Sequence, residues 1–189
     1  SSDLSLKRLI EVKDGTHDTP NYVEEGIPFI TTKDIIKKEI SFSQCKFITY
    51  EDYEKINKRS DVCIGDIIMP MIGSIGSPII VNTDTPFSIK NLALIKNNSN
   101  CDIRFIRYYL DSELTMFQFE LNTSGGVQNF VSLGSLRNLK IPKLTKEEQI
   151  KIADFLDFKE NQFEECINKI NNEIKLLKEY KTALISEVV

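Results

Sequence analysis

Ile167-Asn168-Lys169-Ile170-Asn171-Asn172-Glu173-Ile174-Lys175-Leu176-Leu177 places apolar residues at alternating steps of three and four. That is the heptad spacing of a helix that buries one stripe against another helix. Carried toward the C-terminus, the stripe takes in Leu184 and Val188, interrupted by Lys181. Carried the other way it takes in Phe163, Leu156 and Ala153, interrupted by Glu160. Thr145 and Glu148 have the spacing of a capping box at its start, and neither Pro nor Gly follows them. Residues 145–189 therefore predict one continuous helix, a rod of about 65 Å at 1.5 Å rise per residue. A helix lying across its own domain would bury such a stripe, but this rod is longer than the preceding residues can cover. Phe163, Ile167, Ile170, Ile174, Leu177, Leu184 and Val188 are thus expected to take a second helix in a coiled-coil dimer.

The chain has 189 residues, enough for one globular domain, expected over residues 1–144, followed by the helix. Hydrophobic content of 41 % supports one real core. The longest apolar runs, such as residues 64–72, are broken by Gly, Asp or Pro, so no membrane span is expected. No basic region followed by an apolar stretch marks a signal peptide. Cys45, Cys63, Cys101 and Cys166 are widely separated, and with a single His a Cys/His zinc site is not expected. Isolated thiols without an export signal suit a reducing cytoplasm. The formal charge is −4, with −1 on residues 1–145 and −3 on residues 146–189. Net charge gives no support to polyanion binding; only clustered cations could.

Residues 14–20, Asp-Gly-Thr-His-Asp-Thr-Pro, are turn formers and read as a loop. Its His17 lies between two acids that raise its proton affinity. Three roles stand open for it: a catalytic base, a loop-stabilising residue, and a polar contact in a groove. Residues 26–30 and 46–48 read as short strands, and Thr49 with Asp52 opens a short helix through Lys58. Residues 65–72 and 78–81 read as strands around Gly73-Ser74-Ile75-Gly76. A G-x-x-G clamp of the kind that binds RNA would sit between helices; strand flanks make this an ordinary hairpin turn. Residues 92–96 form a further strand. Asp102 caps one amphipathic helix over residues 103–121, whose Phe105, Tyr108, Tyr109, Phe117 and Phe119 are expected in the core. Residues 122–126 end it, Gln128 and Asn129 offer amides that can pair an adenine edge or satisfy local backbone, and residues 139–142 form a last strand.

No Walker-type phosphate loop, no G-x-S-x-G, no H-E-x-x-H, no dinucleotide fingerprint and no [DN]-P-P-[YF] methyltransferase motif occurs. The residues read as a binding module of α+β class, with no enzymatic role and no cofactor expected.

Asp14-Gly15-Thr16-His17-x-Thr19-Pro20, Gly26-Ile27-Pro28-Phe29, Gly65-Asp66-Ile67-Ile68 and Ile72-Gly73-Ser74-Ile75-Gly76 follow one another in this order. Ser124-Gly125-Gly126-Val127-Gln128-Asn129 and Ile141-Pro142-x-Leu144-x-x-x-Glu148-Gln149 continue the series. Each fragment alone is weak; six in order resemble the specificity subunit of Type I restriction-modification systems over nearly the whole chain.

The resemblance implies a target recognition domain followed by a spacer helix, of which the family usually carries two units per chain. It implies double-stranded DNA as ligand, one half of a bipartite site read per domain. Methyltransferase subunits and, where present, restriction subunits would do the chemistry. With one unit here, pairing with a second copy would supply the missing helix. On that reading Lys33, Lys90 and Arg137 are expected at phosphates, and Thr16, His17, Thr19, Ser74, Gln128 and Asn129 at base edges. Two other classes remain: an interaction module without DNA affinity, and the recognition domain of a fused restriction-methylation enzyme.

Overall fold

The computed structural model describes residues 3–72, 76–121 and 130–188. In chain order its strands begin with β1 (Leu4–Ser5), β2 (Val12–Asp14), β3 (Tyr22–Val23), β4 (Ile27–Ile30), β5 (Ile35–Ile36), β6 (Glu39–Ile40) and β7 (Lys46–Ile48). Helix α1 (Tyr50–Ser60) is followed by β8 (Ile67–Pro70), β9 (Ile79–Ile80), β10 (Ser88–Ile89) and β11 (Leu92–Ile95). Then come α2 (Ile103–Leu110), α3 (Glu113–Leu121), α4 (Leu133–Asn138), β12 (Lys140–Ile141) and α5 (Lys146–Val188). The chain divides into two compact units, residues 1–150 and 151–189.

Two four-stranded sheets form the first unit. One runs β2-β11-β8-β9, antiparallel throughout, with Ala93 opposite both Asp14 and Met69. The other runs β10-β4-β7-β3 and is mixed, because β10 joins β4 in parallel. Every residue of β8 and β11 is buried, so these strands read as unbroken apolar runs rather than alternating ones. Ile68, Leu92 and Leu94 of the first sheet meet Ile30 and Ile89 of the second in one apolar cluster. Each large aliphatic side chain buried in this cluster contributes roughly 1.5–3 kcal/mol to holding the two sheets together.

The Asp66 carboxylate ties the approach to β8 to the end of β11. It accepts Lys96 Nζ at 2.6 Å and the main-chain N–H groups of Cys63 and Asn97, each at 2.8 Å. Asp66 is buried and has four acceptor sites to fill, which these donors occupy in large part. Gly65, just before it, sits at φ +86°, where a side chain would be strained.

The single helix expected over residues 103–121 is two helices. Ser112 and Thr115 turn their hydroxyls onto the Tyr109 carbonyl, at 2.7 and 2.6 Å, and close α2 before α3 begins. Side-chain hydroxyls competing for a helical carbonyl interrupt the ladder that an unbroken helix needs. Phe105 and Phe119 are core residues as expected, but Phe117 is exposed, because the break changes the face that α3 presents. Thr49 caps α1 through Asp52 N. The Asp52 carboxylate also accepts Asn21 N and Nδ2, at 2.7 and 3.1 Å.

Helix α5 opens with both halves of the capping box. Thr145 N donates to Glu148 Oε2 at 2.8 Å, and Glu148 N donates to Thr145 Oγ1 at 3.2 Å. Its 43 residues give about 65 Å of helix. Phe163, Ile167, Ile170, Ile174, Leu177 and Leu184 are 42–68 % exposed, and the side chain of Val188 lies outside the described residues. Leu176, Tyr180 and Ile185 are exposed beside that stripe, so the apolar face is wider than the heptad seam alone.

Candidate nucleic-acid interface

The loop after β2 is fixed by backbone before any side chain acts. Gly15 N donates to Leu92 O at 2.9 Å and Thr16 N to Ile89 O at 3.1 Å. A Cβ on Gly15 would lie 2.4 Å from Ile89 O, so only glycine admits this approach.

Asp14, at the end of β2, then gathers two basic side chains. Its Oδ1 accepts Arg59 Nη2 from α1 at 2.7 Å, and its Oδ2 faces His17 Nε2 at 2.9 Å. The other ring nitrogen of His17 faces Asn91 Oδ1 at 3.0 Å. With an oxygen acceptor at each nitrogen, the site suits an imidazolium. The hydrogen bonds to Asn91 and then Asp14 raise the His17 proton affinity above that of an ordinary histidine. Burial acts to raise the Asp14 carboxyl, but the hydrogen bonds and charges of His17 and Arg59 outweigh it and hold it below the usual range. His17 thus acts through Asp14 and Asn91; its sequence neighbour Asp18 is not the partner.

Lys90 closes the loop from the other side, its Nζ donating to Asp18 O at 3.1 Å and Thr19 Oγ1 at 3.3 Å. Thr16, Thr19 and Arg59 line a cleft of about 210 Å3 between this loop and α1.

Lys90 and Asn91 also border a larger groove, of about 760 Å3, built on the second sheet and the hairpin β5–β6. Lys33, Lys46 and Lys90 supply its cations, and Thr31, Thr32, Ser41, Ser43 and Gln44 its hydroxyls and amide. Asp34 is the one acid among these lining residues, and its carboxylate is taken up by Thr31 N and Oγ1, each at 2.8 Å. Lys46 lies over the Tyr22 ring at 4.3 Å. A chain of net charge −4 therefore carries a local cationic trough.

The fold brings Lys33 and Lys90 into this groove and Thr16 and Thr19 into the adjoining cleft, with His17 held on Asn91 at the groove's border. It does not bring Arg137 there: that side chain, on α4, donates through Nε and Nη2 to Val12 O at 3.0 and 2.7 Å. Ser74, Gln128 and Asn129 lie outside the described residues; Ile72 and Phe130, close to those segments, form an antiparallel bridge, and Ile72 lines the groove. Arg59, Lys46, Tyr22 and Gln44 were not legible as site residues. Tyr22 and Lys46 sit on β3 and β7, Gln44 in the bend before β7 and Arg59 on α1, so only the tertiary fold assembles them.

The first unit thus carries a cationic, hydroxyl-rich groove, and the second is a long helix with an apolar stripe. The chain belongs to the family of the Type I restriction modification DNA specificity domain, whose model matches residues 4–176. Its fold is similar to the HsdS subunit of Thermoanaerobacter tengcongensis, with TM-score 0.61 and 18 % identity over 85 % of this chain and 37 % of that one. It is similar to the Type I restriction-modification S subunit of M. genitalium, with TM-score 0.54 and 18 % identity over 86 % and 40 %. A third similar chain comes from a structure of type I R-M complex assembly and conformational transition, with TM-score 0.60 and 20 % identity over 85 % and 38 %. The chain thus spans about two fifths of the length of these solved chains. No curated protein matches it.

Proposed function

We propose that this chain reads one half of a bipartite DNA site and that the groove lined by Lys33, Lys46 and Lys90 is the surface that meets the duplex. The observation that carries this reading is the composition of the groove: three lysines, and a single carboxylate already consumed by Thr31. Such a surface neutralises phosphates in any sequence, while Thr, Ser, Gln and Asn side chains at its rim read base edges.

Arg59 and Asp14 hold His17 in position, and Lys90 holds Thr19, so the loop is presented to DNA in one conformation rather than ordered on binding. Residues 1–144 form the recognition part and residues 145–189 the spacer. The spacer pairs with the helix of a second copy, giving a homodimer that reads an inverted repeat with a fixed gap. Methyltransferase and restriction subunits carry the chemistry, the chain itself is non-catalytic, and its work on chromosomal DNA is cytoplasmic.

The test is binding of the full chain to duplex DNA as a function of salt. The parent should bind with a steep salt dependence, and Lys33→Glu with Lys90→Glu should abolish binding while leaving the fold intact. Binding unaffected by that pair would remove the groove from the account. A parent without DNA affinity would favour an interaction module joined by its helix.

A further inference from the structure

The hairpin β5–β6 stands alone as a two-stranded sheet, and its turn is built against backbone preference. Ile36 and Glu39 pair across it, leaving only Lys37 and Lys38 to make the turn. Both have left-handed backbone, at φ 52° and 62°. A two-residue hairpin turn needs that conformation at both positions; Asn-Gly adopts it with little strain, and Lys does not.

Alternation along β5 sends Ile35 inward, where it packs with Ile40 against the apolar core, and Ile36 outward. Ile36 is 52 % exposed and lines the groove. Lys38 is anchored by Asp111 Oδ2 at 2.7 Å, which fixes the tip. Lys37 is exposed, and its ammonium makes no ion pair or hydrogen bond among the described residues. Backbone strain at an exposed turn, where a relaxed residue would fit, is the pattern of a side chain held for use.

We infer that this hairpin is a DNA-reading element of the groove: the Lys37 ammonium neutralises a backbone phosphate, and Ile36 lies against sugar or base edges beside it. This rests on the DNA reading given above. The Lys38–Asp111 ion pair keeps the tip from swinging away, so the contact costs little ordering on binding.

The experiment uses the full chain and a random-sequence duplex of about 30 base pairs, titrated between about 50 and 200 mM salt, alongside thermal melting. Lys37→Asn relaxes the turn, so its Tm should rise by about 1–3 °C. Its DNA affinity should nevertheless fall, by about fifteenfold at 50 mM salt and about fourfold at 200 mM, the counterion-release loss for one phosphate. The slope of log K against log salt should flatten by about 0.9. Lys37→Gly, also relaxed in this backbone, should reproduce these results, and Ile36→Ala should weaken binding without changing the slope. A raised Tm with unchanged affinity and slope would make Lys37 a plain turn residue and overturn the inference, with the DNA reading intact. A weaker complex with an unchanged slope would overturn the phosphate contact. No binding by the parent would overturn the DNA reading itself, and this inference with it.

Discussion

Gln149 Oε1 accepts the main-chain N–H of Asp102, the N-cap of α2, at 2.9 Å, and the same amide donates through Nε2 to Leu144 O at 3.2 Å. Gln149 is buried, and this one side chain in the first turn of α5 satisfies two backbone groups of half-buried residues. This relationship ties the root of the long helix to the fold that precedes it.

Gln149→Ala should therefore destabilise the chain by about 1–2 kcal/mol, since it removes two hydrogen bonds from partly buried backbone groups. Urea unfolding measures this. A change within a few tenths of a kcal/mol would show that neither bond is needed.

The Asp66–Lys96 pair is a stronger restraint. The Asp66 side chain is 2 % exposed and that of Lys96 15 %, so removing the acid strands two backbone donors and leaves Lys96 only Asp61 and Cys63 as partners. Asp66→Ala should cost about 2–4 kcal/mol, mostly through the two unpaired donors. Asp66→Asn, which keeps acceptor capacity for the backbone, should cost less. Equal losses for the two variants would mean that shape rather than the ion pair is at stake.

His17 gives a pH signature of definite sign. Its folded proton affinity is raised above the 6.5 of an unperturbed histidine, so its contribution to stability is full below that pH and is lost as pH rises through the higher folded value. Asp14 is held below 3.8, so its contribution is present above that pH and lost only in stronger acid. The stability advantage of the parent over His17→Gln should accordingly shrink from pH 6 to pH 9. Because the chain has a single His, its ring resonance can be followed directly by NMR. A midpoint at or below 6.5 would contradict the arrangement around Asp14 and Asn91.

The proposed pairing of two copies rests on the apolar stripe of α5. Ile170→Glu with Leu177→Glu should convert a dimer to a monomer in sedimentation while the circular dichroism of the first unit persists. A parent that already sediments as a monomer, with unfolding of the double variant, would refute an intermolecular seam.

Much of this was legible in the chain and some was not, for physical reasons. The start of α5 was readable because Thr145 and Glu148 satisfy each other locally. Strands β8 and β11 were readable because burial on both faces leaves an unbroken apolar run. Strands β1, β3, β5, β6 and β10 were missed, since two residues carry no periodicity. The break between α2 and α3 was missed because Ser112 and Thr115 look like ordinary helix residues until their hydroxyls find Tyr109 O. At the site, Gly15 marked a close backbone approach, but Arg59 meets Asp14 across 45 residues of sequence, which no local pattern announces. Of the three cations expected at phosphates, Lys33 and Lys90 share one groove, whereas Arg137 is bound to Val12.

The most direct measurement is a genome-wide map of methylated adenines in a host with an active linked methyltransferase, with this gene present and deleted. The account predicts a bipartite motif that disappears on deletion, with two halves related as an inverted repeat if the helices of two copies pair. A methylation map that is the same with and without the gene would contradict it.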